Sequence, residues 1–151
     1  MIHKTTTCSH KTALVASELY YWHDTLNWCG FFEPSLELQP GEHFENPETK
    51  RRLQNLLQAS GLWPHLHQVE ADYADDAVIE MVHPKSHIAH IASIGASGGG
   101  DAGALTPIGP KSLEIAKLAV GGVVAGVDAV MQGQADNAYV LCRPPGHHAL
   151  P

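Results

Sequence analysis

The sequence has few cysteines, few basic side chains and no long apolar run. Its three cysteines, Cys8, Cys29 and Cys142, form neither a disulfide framework nor a Cys-x-x-Cys metal motif. Nine basic against 16 acidic residues give a net charge of −7, which argues against a direct nucleic-acid partner. The most apolar segment, 118–127, is far shorter than the roughly 20 residues that span a membrane. We therefore predict a cytoplasmic protein without a membrane partner.

The chain does contain enough apolar residues to form a core. Its 151 residues, 44% of them apolar, correspond to one ordinary domain. The unusual component is histidine, with 11 copies. Imidazole titrates near neutral pH, so these side chains are the first candidates for acid-base chemistry.

Strand and helix patterns alternate along the chain. The predicted elements are a strand at 12–16, a helix from 47 to Gly61, a short strand within 66–71, a short helix at 76–83, a helix from Pro84, a helix at 110–131 and a strand at 137–142. A glycine-rich loop is predicted between 95 and 109. This alternation predicts an α/β layer structure with a buried last strand.

The long helix carries small residues that disfavour helix formation. Gly121, Gly122 and Gly126 each cost on the order of 1 kcal/mol relative to alanine. Close approach of this helix to a sheet is the simplest compensation.

The stretch Arg143-Pro144-Pro145-Gly146-His147-His148-Ala149 (RPPGHHA) follows the last predicted strand. The two prolines fix two backbone angles and the glycine permits a sharp bend, so adjacent histidines are held at a strand end. In α/β sheets ligands bind at that edge. The stretch predicts a pre-organised acid-base pair, and a tight loop with two surface histidines is the alternative. Arg143 is expected to anchor the turn to nearby carbonyls or to an acid.

RPPGHHA resembles the histone deacetylase and acetylpolyamine amidohydrolase family, particularly its class II type and bacterial histone-deacetylase-like amidohydrolases. The segment 43–53 (HFENPETKRRL) resembles the family's early H-x-E-x-P-E-x-x-R-x-L segment. The Val82-His83 pair and the helix residues 112–116 with Gly121-Gly122 also resemble family segments.

The resemblance implies a zinc-dependent amide hydrolase with the arginase/deacetylase-like α/β fold, a mainly parallel sheet flanked by helices. It implies that His148 is the general base and acid, and that His147 supports the water and the developing oxyanion. The implied substrate is an acylated lysine or a polyamine-type small molecule. The implied zinc ligands, an Asp-x-His pair and a later Asp, and the oxyanion tyrosine would lie beyond Pro151.

Residues 1–151 are therefore expected to be the N-terminal part of one deacetylase-like catalytic domain that continues past 151. If nothing follows, we expect no zinc site, no turnover and poor stability. The competing hypotheses are a truncated or degenerate family member that binds partners without turnover, and an unrelated α/β binding module.

Asp101, in the glycine-rich loop, resembles in rough position a family aspartate that grips the substrate's backbone amides. The favoured alternative is a solvated acid on a flexible surface loop, because such loops are common.

Further histidines and aromatics have candidate roles outside that stretch. His83, His87 and His90 can share a helical face, and His65 and His67 one side of a strand, yet we expect structural roles because convergent ligands are missing. An aromatic cluster is formed by Trp22, Trp28, Phe31 and Phe32. We expect it to be part of the core or a contact between subunits, and a subunit contact would imply a homo-oligomer.

Overall fold

The computed structural model describes residues 10–146. In chain order, the strands are β1 (Thr12–Ala16), β2 (His67–Gln68), β3 (Gly100–Asp101), β4 (Pro107–Ile108) and β5 (Asn137–Leu141). The α-helices are α1 (Glu48–Ala59), α2 (Asp76–Ile79), α3 (Lys85–Ala96) and α4 (Ser112–Met131). Two short 3-10 helices occupy Glu18–Trp22 and Trp63–His65.

The central sheet is parallel and has the order β2-β1-β5 within the described residues. Strands β1 and β5 pair along their whole length, from Thr12 opposite Asn137 to Ala16 opposite Leu141. Their buried side chains pack under α4, which lies against both strands, and α3 packs against α4. The predicted α/β layer structure is confirmed.

The glycines of α4 lie where the helix approaches its neighbours closely. A β-carbon on Gly121 would collide with the carbonyl oxygen of Asp72, and one on Gly122 with the hydroxyl of Tyr20. At Gly126 it would come within 3.0 Å of a methyl group of Val140 in β5. The predicted close approach is confirmed, because packing against the sheet and its connections requires the missing side chains.

The start of α1 follows its sequence signal. The Asn46 side chain accepts a hydrogen bond of 3.0 Å from the backbone N–H of Glu48, although Pro47 occupies the position just before the helix. Side-chain acceptance at a helix start satisfies a backbone donor that has no intrahelical partner.

Two expectations about secondary structure were wrong. The glycine-rich segment contains an antiparallel hairpin, β3–β4, because Gly103, Ala104 and Leu105 between the two strands adopt positive φ angles that allow the chain to reverse. Strand β5 is largely exposed, with Tyr139 at 51% exposure, because it pairs only with β1 in the described sheet.

The helices that the structure describes can be compared in length and hydrophobicity with membrane-spanning helices. Within residues 10–146, no helix combines the length and apolar character needed to cross a bilayer.

Candidate functional site

The turn that precedes His147 leaves the carboxyl end of β5. Ala16 pairs with Leu141 in parallel register, so β1 and β5 end at the same edge of the sheet. The chain that leaves β1 forms the Glu18–Trp22 3-10 helix at this edge. The segment after β1 and the turn after β5 are therefore neighbours, and parallel sheets place ligands at this edge.

Arg143 begins this turn and is completely buried. Its guanidinium makes a two-point contact with Glu45, through Nε to Oε1 at 2.8 Å and Nη2 to Oε2 at 2.7 Å. Nη1 donates to the carbonyl oxygens of Tyr21 (3.0 Å) and His23 (3.1 Å). The predicted anchoring of the turn to carbonyls and an acid is confirmed.

Glu45 reaches Arg143 from a loop with little regular structure. Its backbone N–H donates to Nδ1 of His43 at 3.0 Å, which fixes the loop locally. Burial alone would raise the pKa of the Glu45 carboxyl, but the hydrogen bonds and charge of Arg143 outweigh it and hold that pKa below its ordinary value. The ammonium of Lys50, 3.6 Å away, acts in the same direction. Glu45 is therefore ionised at neutral pH.

Two buried histidines lie beside this ion pair. His23 and His43 are each 7% exposed, and within the described residues Nδ1 of His23 and Nε2 of His43 have no hydrogen-bond partner. Burial, reinforced by the charge of Arg143, lowers the pKa of His23 to about 4. His23 is therefore neutral at pH 7 and adds no positive charge beside Arg143.

The predicted catalytic pair itself lies outside the described residues, because the description ends at Gly146. Asp101 lies in β3, and its Oδ1 accepts hydrogen bonds of 2.9 Å from the backbone N–H groups of Gly103 and Thr106. These contacts brace the hairpin. A substrate-binding role for Asp101 stays a prediction.

The two other histidine pairs singled out from the sequence, 83/87 and 65/67, differ in where the structure places them. His83 and His87 have ring centroids 5.0 Å apart. The expectation that His65 and His67 lie on one side of the same strand was wrong, because His65 belongs to a 3-10 helix and only His67 lies in β2. Among residues 10–146, no group of three or more His, Cys, Asp or Glu side chains is arranged to hold a metal ion. These residues therefore do not fit a zinc site on their own.

The aromatic cluster does not form one core unit. Trp28 is buried, whereas Trp22, Phe31 and Phe32 are 64%, 48% and 63% exposed. The core interpretation was wrong for these three because their segment lies at the surface, and the subunit-contact interpretation stays a prediction.

An apolar groove of about 310 Å³ runs beside the turn. Residues of α3 and α4 line it, together with Ile79 of α2 and with Cys142, Pro144, Pro145 and Gly146. His83, which precedes α3, and His87 of α3 also line the groove.

Sequence reasoning missed the neighbours of Arg143. Glu45 stands in the H-x-E part of the quoted 43–53 segment, but no role was assigned to it. His23 and His43 belong to no metal or catalytic spacing, so their burial could be found only from the three-dimensional contacts.

This α/β layer, with Arg143 fixing the turn at the end of β5, belongs to the class of proteins that bind ligands at the carboxyl ends of parallel strands. The model of the histone deacetylase domain family matches residues 43–151. The chain belongs to the histone deacetylase family.

Two relatives and one solved structure illustrate the match. The chain is 43% identical over 149 residues to a histone deacetylase-like amidohydrolase of Pseudomonas aeruginosa, covering 95% of this chain and 38% of the relative. It is 35% identical over 118 residues to a probable deacetylase of Methanothermobacter thermautotrophicus, covering 77% and 34%. The crystal structure of the HDA15 HD domain superposes with a TM-score of 0.76 at 26% identity, covering 92% of this chain and 37% of that one.

These matches confirm the predicted family and the arginase/deacetylase-like α/β fold. The chain spans well under half the length of each of these three proteins.

Proposed function

We propose that the intact protein hydrolyses an acyl-amide, of the acetyl-lysine or acetylpolyamine type. The observation that carries this proposal is the turn 143–146, which a buried guanidinium fixes at the carboxyl edge of β1 and β5. His147 and His148 follow this turn directly in the sequence. The family membership supports a hydrolytic function.

In this proposal the two histidines divide the proton chemistry. His148 accepts a proton from the attacking water and then donates a proton to the leaving amine. His147 donates hydrogen bonds to the water and to the developing oxyanion. Acyl-amide hydrolysis needs both a base and an acid, and an imidazole with an ordinary pKa can serve as either near pH 7.

We also propose that the protein uses zinc, with ligands outside residues 10–146. Zinc in hydrolases acts as a Lewis acid. The proposed ligands are the Asp-x-His pair and the later Asp that the family resemblance implies beyond residue 151, since no metal-binding cluster is present among residues 10–146.

Because acylation neutralises the modified amine, positive charge on the proposed substrates lies elsewhere, on the other amines of an acetylpolyamine or on basic residues near an acetyl-lysine. A net charge of −7 favours their approach without selecting one of them. We further place the protein in the cytoplasm, because Cys29 and Cys142 are free thiols and the cysteine pattern fits a reducing compartment.

The test is zinc-dependent hydrolysis of an acetyl-lysine peptide and of an acetylpolyamine by the intact protein. Removing His148 in His148→Ala should lower kcat at least 100-fold, in line with the usual contribution of a general base. The control His90→Ala removes an exposed histidine of α3 and should leave kcat unchanged. Activity that survives His148→Ala, or no activity in the zinc-loaded protein, would contradict the proposal.

The second candidate is a family member that binds acyl-lysine without turnover. The described part of the chain is compatible with it because it contains no metal-binding cluster. Saturable binding of an acetyl-lysine peptide, with no acetate released by the zinc-loaded protein, would select this alternative.

A further inference from the structure

We propose that Glu45 and Arg143 are positioning residues, whose buried ion pair aims the two histidines that follow the Arg-Pro-Pro-Gly turn. This inference rests on the proposed function. It concerns residues remote in sequence, since Glu45 and Arg143 are 98 positions apart. Neither side chain is proposed to touch the substrate.

The first argument is the number of contacts that fix Arg143. Four hydrogen bonds from one side chain reach Glu45 and the carbonyls of Tyr21 and His23. A guanidinium has five N–H donors in a planar fork, so its position and its orientation are both determined. The ammonium of a lysine could replace its charge but not this fork.

The second argument is the stiffness of the connection to the histidines. Pro144 and Pro145 have fixed φ angles and lie directly after Arg143. Two of the backbone torsions between Arg143 and Gly146 are therefore fixed, and the hydrogen bonds of the guanidinium hold the Arg143 side chain itself. A displacement of Arg143 is passed on to His147 and His148, and a shift of about 1 Å at a catalytic group can cost on the order of 100-fold in rate.

The third argument is that a buried ion pair is a poor way to gain stability alone. Replacing such pairs by apolar residues is often neutral or stabilising, because desolvation offsets the attraction. What the pair adds is one defined geometry. Here that geometry ties the segment after β1 and the Glu45 loop to the turn after β5.

The key variant is the double substitution Glu45→Met/Arg143→Met in the zinc-loaded intact protein. It removes both charges together and so leaves neither charge without its partner. The carbonyls of Tyr21 and His23 lose their donor in this variant, so a cooperative urea unfolding transition is the check that it is folded. We expect kcat for an acetyl-lysine peptide to fall about 10- to 100-fold while KM stays within about threefold, since orientation and not substrate binding is lost.

Single variants and a matched control sharpen the result. Arg143→Lys keeps the charge without the fork and should also lower kcat. Glu45→Asp keeps the carboxylate and should retain more activity than Glu45→Gln. The control Glu114→Gln removes an exposed ion pair with Lys111 on α4 and should leave kcat unchanged.

A second readout does not depend on turnover. Hydrogen exchange of a peptide covering 141–149 should be at least tenfold faster in the double variant than in the wild type or Glu114→Gln, while peptides from α4 exchange as before. If the wild-type protein shows no turnover, the proposed function fails, and the exchange experiment alone decides whether the pair holds the turn. Wild-type exchange in the double variant, or wild-type kcat in an active protein, would overturn the inference.

Discussion

The layer formed by β1, β5 and α4 and the segment 17–47 beside it differ in what fills their interiors. The layer buries small and aliphatic side chains, among them Leu14, Val15 and Leu118. The segment buries the aromatic rings of Tyr20, Tyr21 and Trp28 and the imidazoles of His23 and His43. It also supplies hydrogen-bond partners to the buried Arg143 after β5, with little regular secondary structure.

The comparison shows two ways of fixing a chain. In the layer, the burial of apolar surface stabilises the fold by roughly 25 cal/mol per Å² and does not depend on direction. The helix can approach the sheet closely because its glycines have no side chain. In the segment, directional hydrogen bonds to Arg143 replace a regular strand or helix. The regular layer determines where the turn lies, and the polar contacts determine how it is oriented.

The largest expected effect is the loss of one partner from the polar contacts. Arg143→Met leaves the part-buried Glu45 carboxylate with only the Lys50 ammonium, 3.6 Å away, and removes the donor from the buried carbonyls of Tyr21 and His23. We expect the free energy of unfolding to fall by about 3–4 kcal/mol. Urea unfolding of the wild type and variant measures this loss. Recovery of most of the stability in Glu45→Met/Arg143→Met is the companion result, and a single variant as stable as the wild type would contradict this description of the segment.

A smaller effect is expected from breaking the apolar layer at Gly121. Gly121→Ala forces a methyl group against the carbonyl oxygen of Asp72, a backbone atom that cannot move alone. We expect a loss of about 2–3 kcal/mol in urea unfolding.

Gly126→Ala is the matched control on the same helix. Its methyl group would meet side-chain atoms and no backbone atom: it lies 3.0 Å from a methyl group of Val140 and in ordinary contact with Ala138 and Val15. The gain in helix propensity of about 1 kcal/mol offsets the small shift that Val140 must make. Equal losses for Gly121→Ala and Gly126→Ala would contradict the packing explanation.

The third effect is a dependence of stability on pH, which we expect from the segment 17–47 because it contains the buried His23. The pKa of His23 is lowered to about 4 in the folded protein, against about 6.5 when unfolded. The unfolded state therefore binds more protons between these values, so stability falls as pH decreases from about 6.5 towards 4. For His23 alone the loss between pH 7 and pH 5 is about 2 kcal/mol.

Unfolding measured at both pH values in the wild type and in His23→Gln tests this assignment. The variant has no imidazole at this position, so its stability should depend less steeply on pH. An unchanged slope would show that His23 titrates normally.

The smallest effect is expected at an exposed ion pair bordering the segment. Arg51 and Glu18 lie 2.8 Å apart at the surface, where solvent screens their attraction. Glu18→Gln should unfold at the same urea concentration as the wild type. A clear loss would mean that surface contacts, and not only the buried pair, hold the segment.

The regular layer was largely predictable from sequence. The apolar run at 12–16 matched β1 in both bounds, and the end of α4 at Met131 agreed with the Gly133 stop signal. The glycines of α4 predicted close contact with the sheet, because glycine disfavours helix formation and tight packing can offset that loss of stability. The prediction that β5 is buried was wrong, because the exposure of a strand depends on which elements lie beside it and not on its own sequence pattern.

The candidate site was predictable only in part. The stretch RPPGHHA marked the turn, and the buried anchoring of Arg143 agreed with expectation. Its partner Glu45 and the neighbours His23 and His43 could not be found, because no local pattern links residues about 100 positions apart. The hairpin at β3–β4 was missed since glycine content alone does not distinguish a flexible loop from a tight turn.

The most direct measurement is a crystal structure of the zinc-loaded intact protein that resolves His147 and His148. We predict both imidazoles in a cleft at the carboxyl edge of β1 and β5, facing the bound ion, with the Arg143–Glu45 contact retained beneath them. Imidazoles that point into bulk solvent, far from any cleft or cation, would contradict the assignment of these residues to acyl-amide hydrolysis.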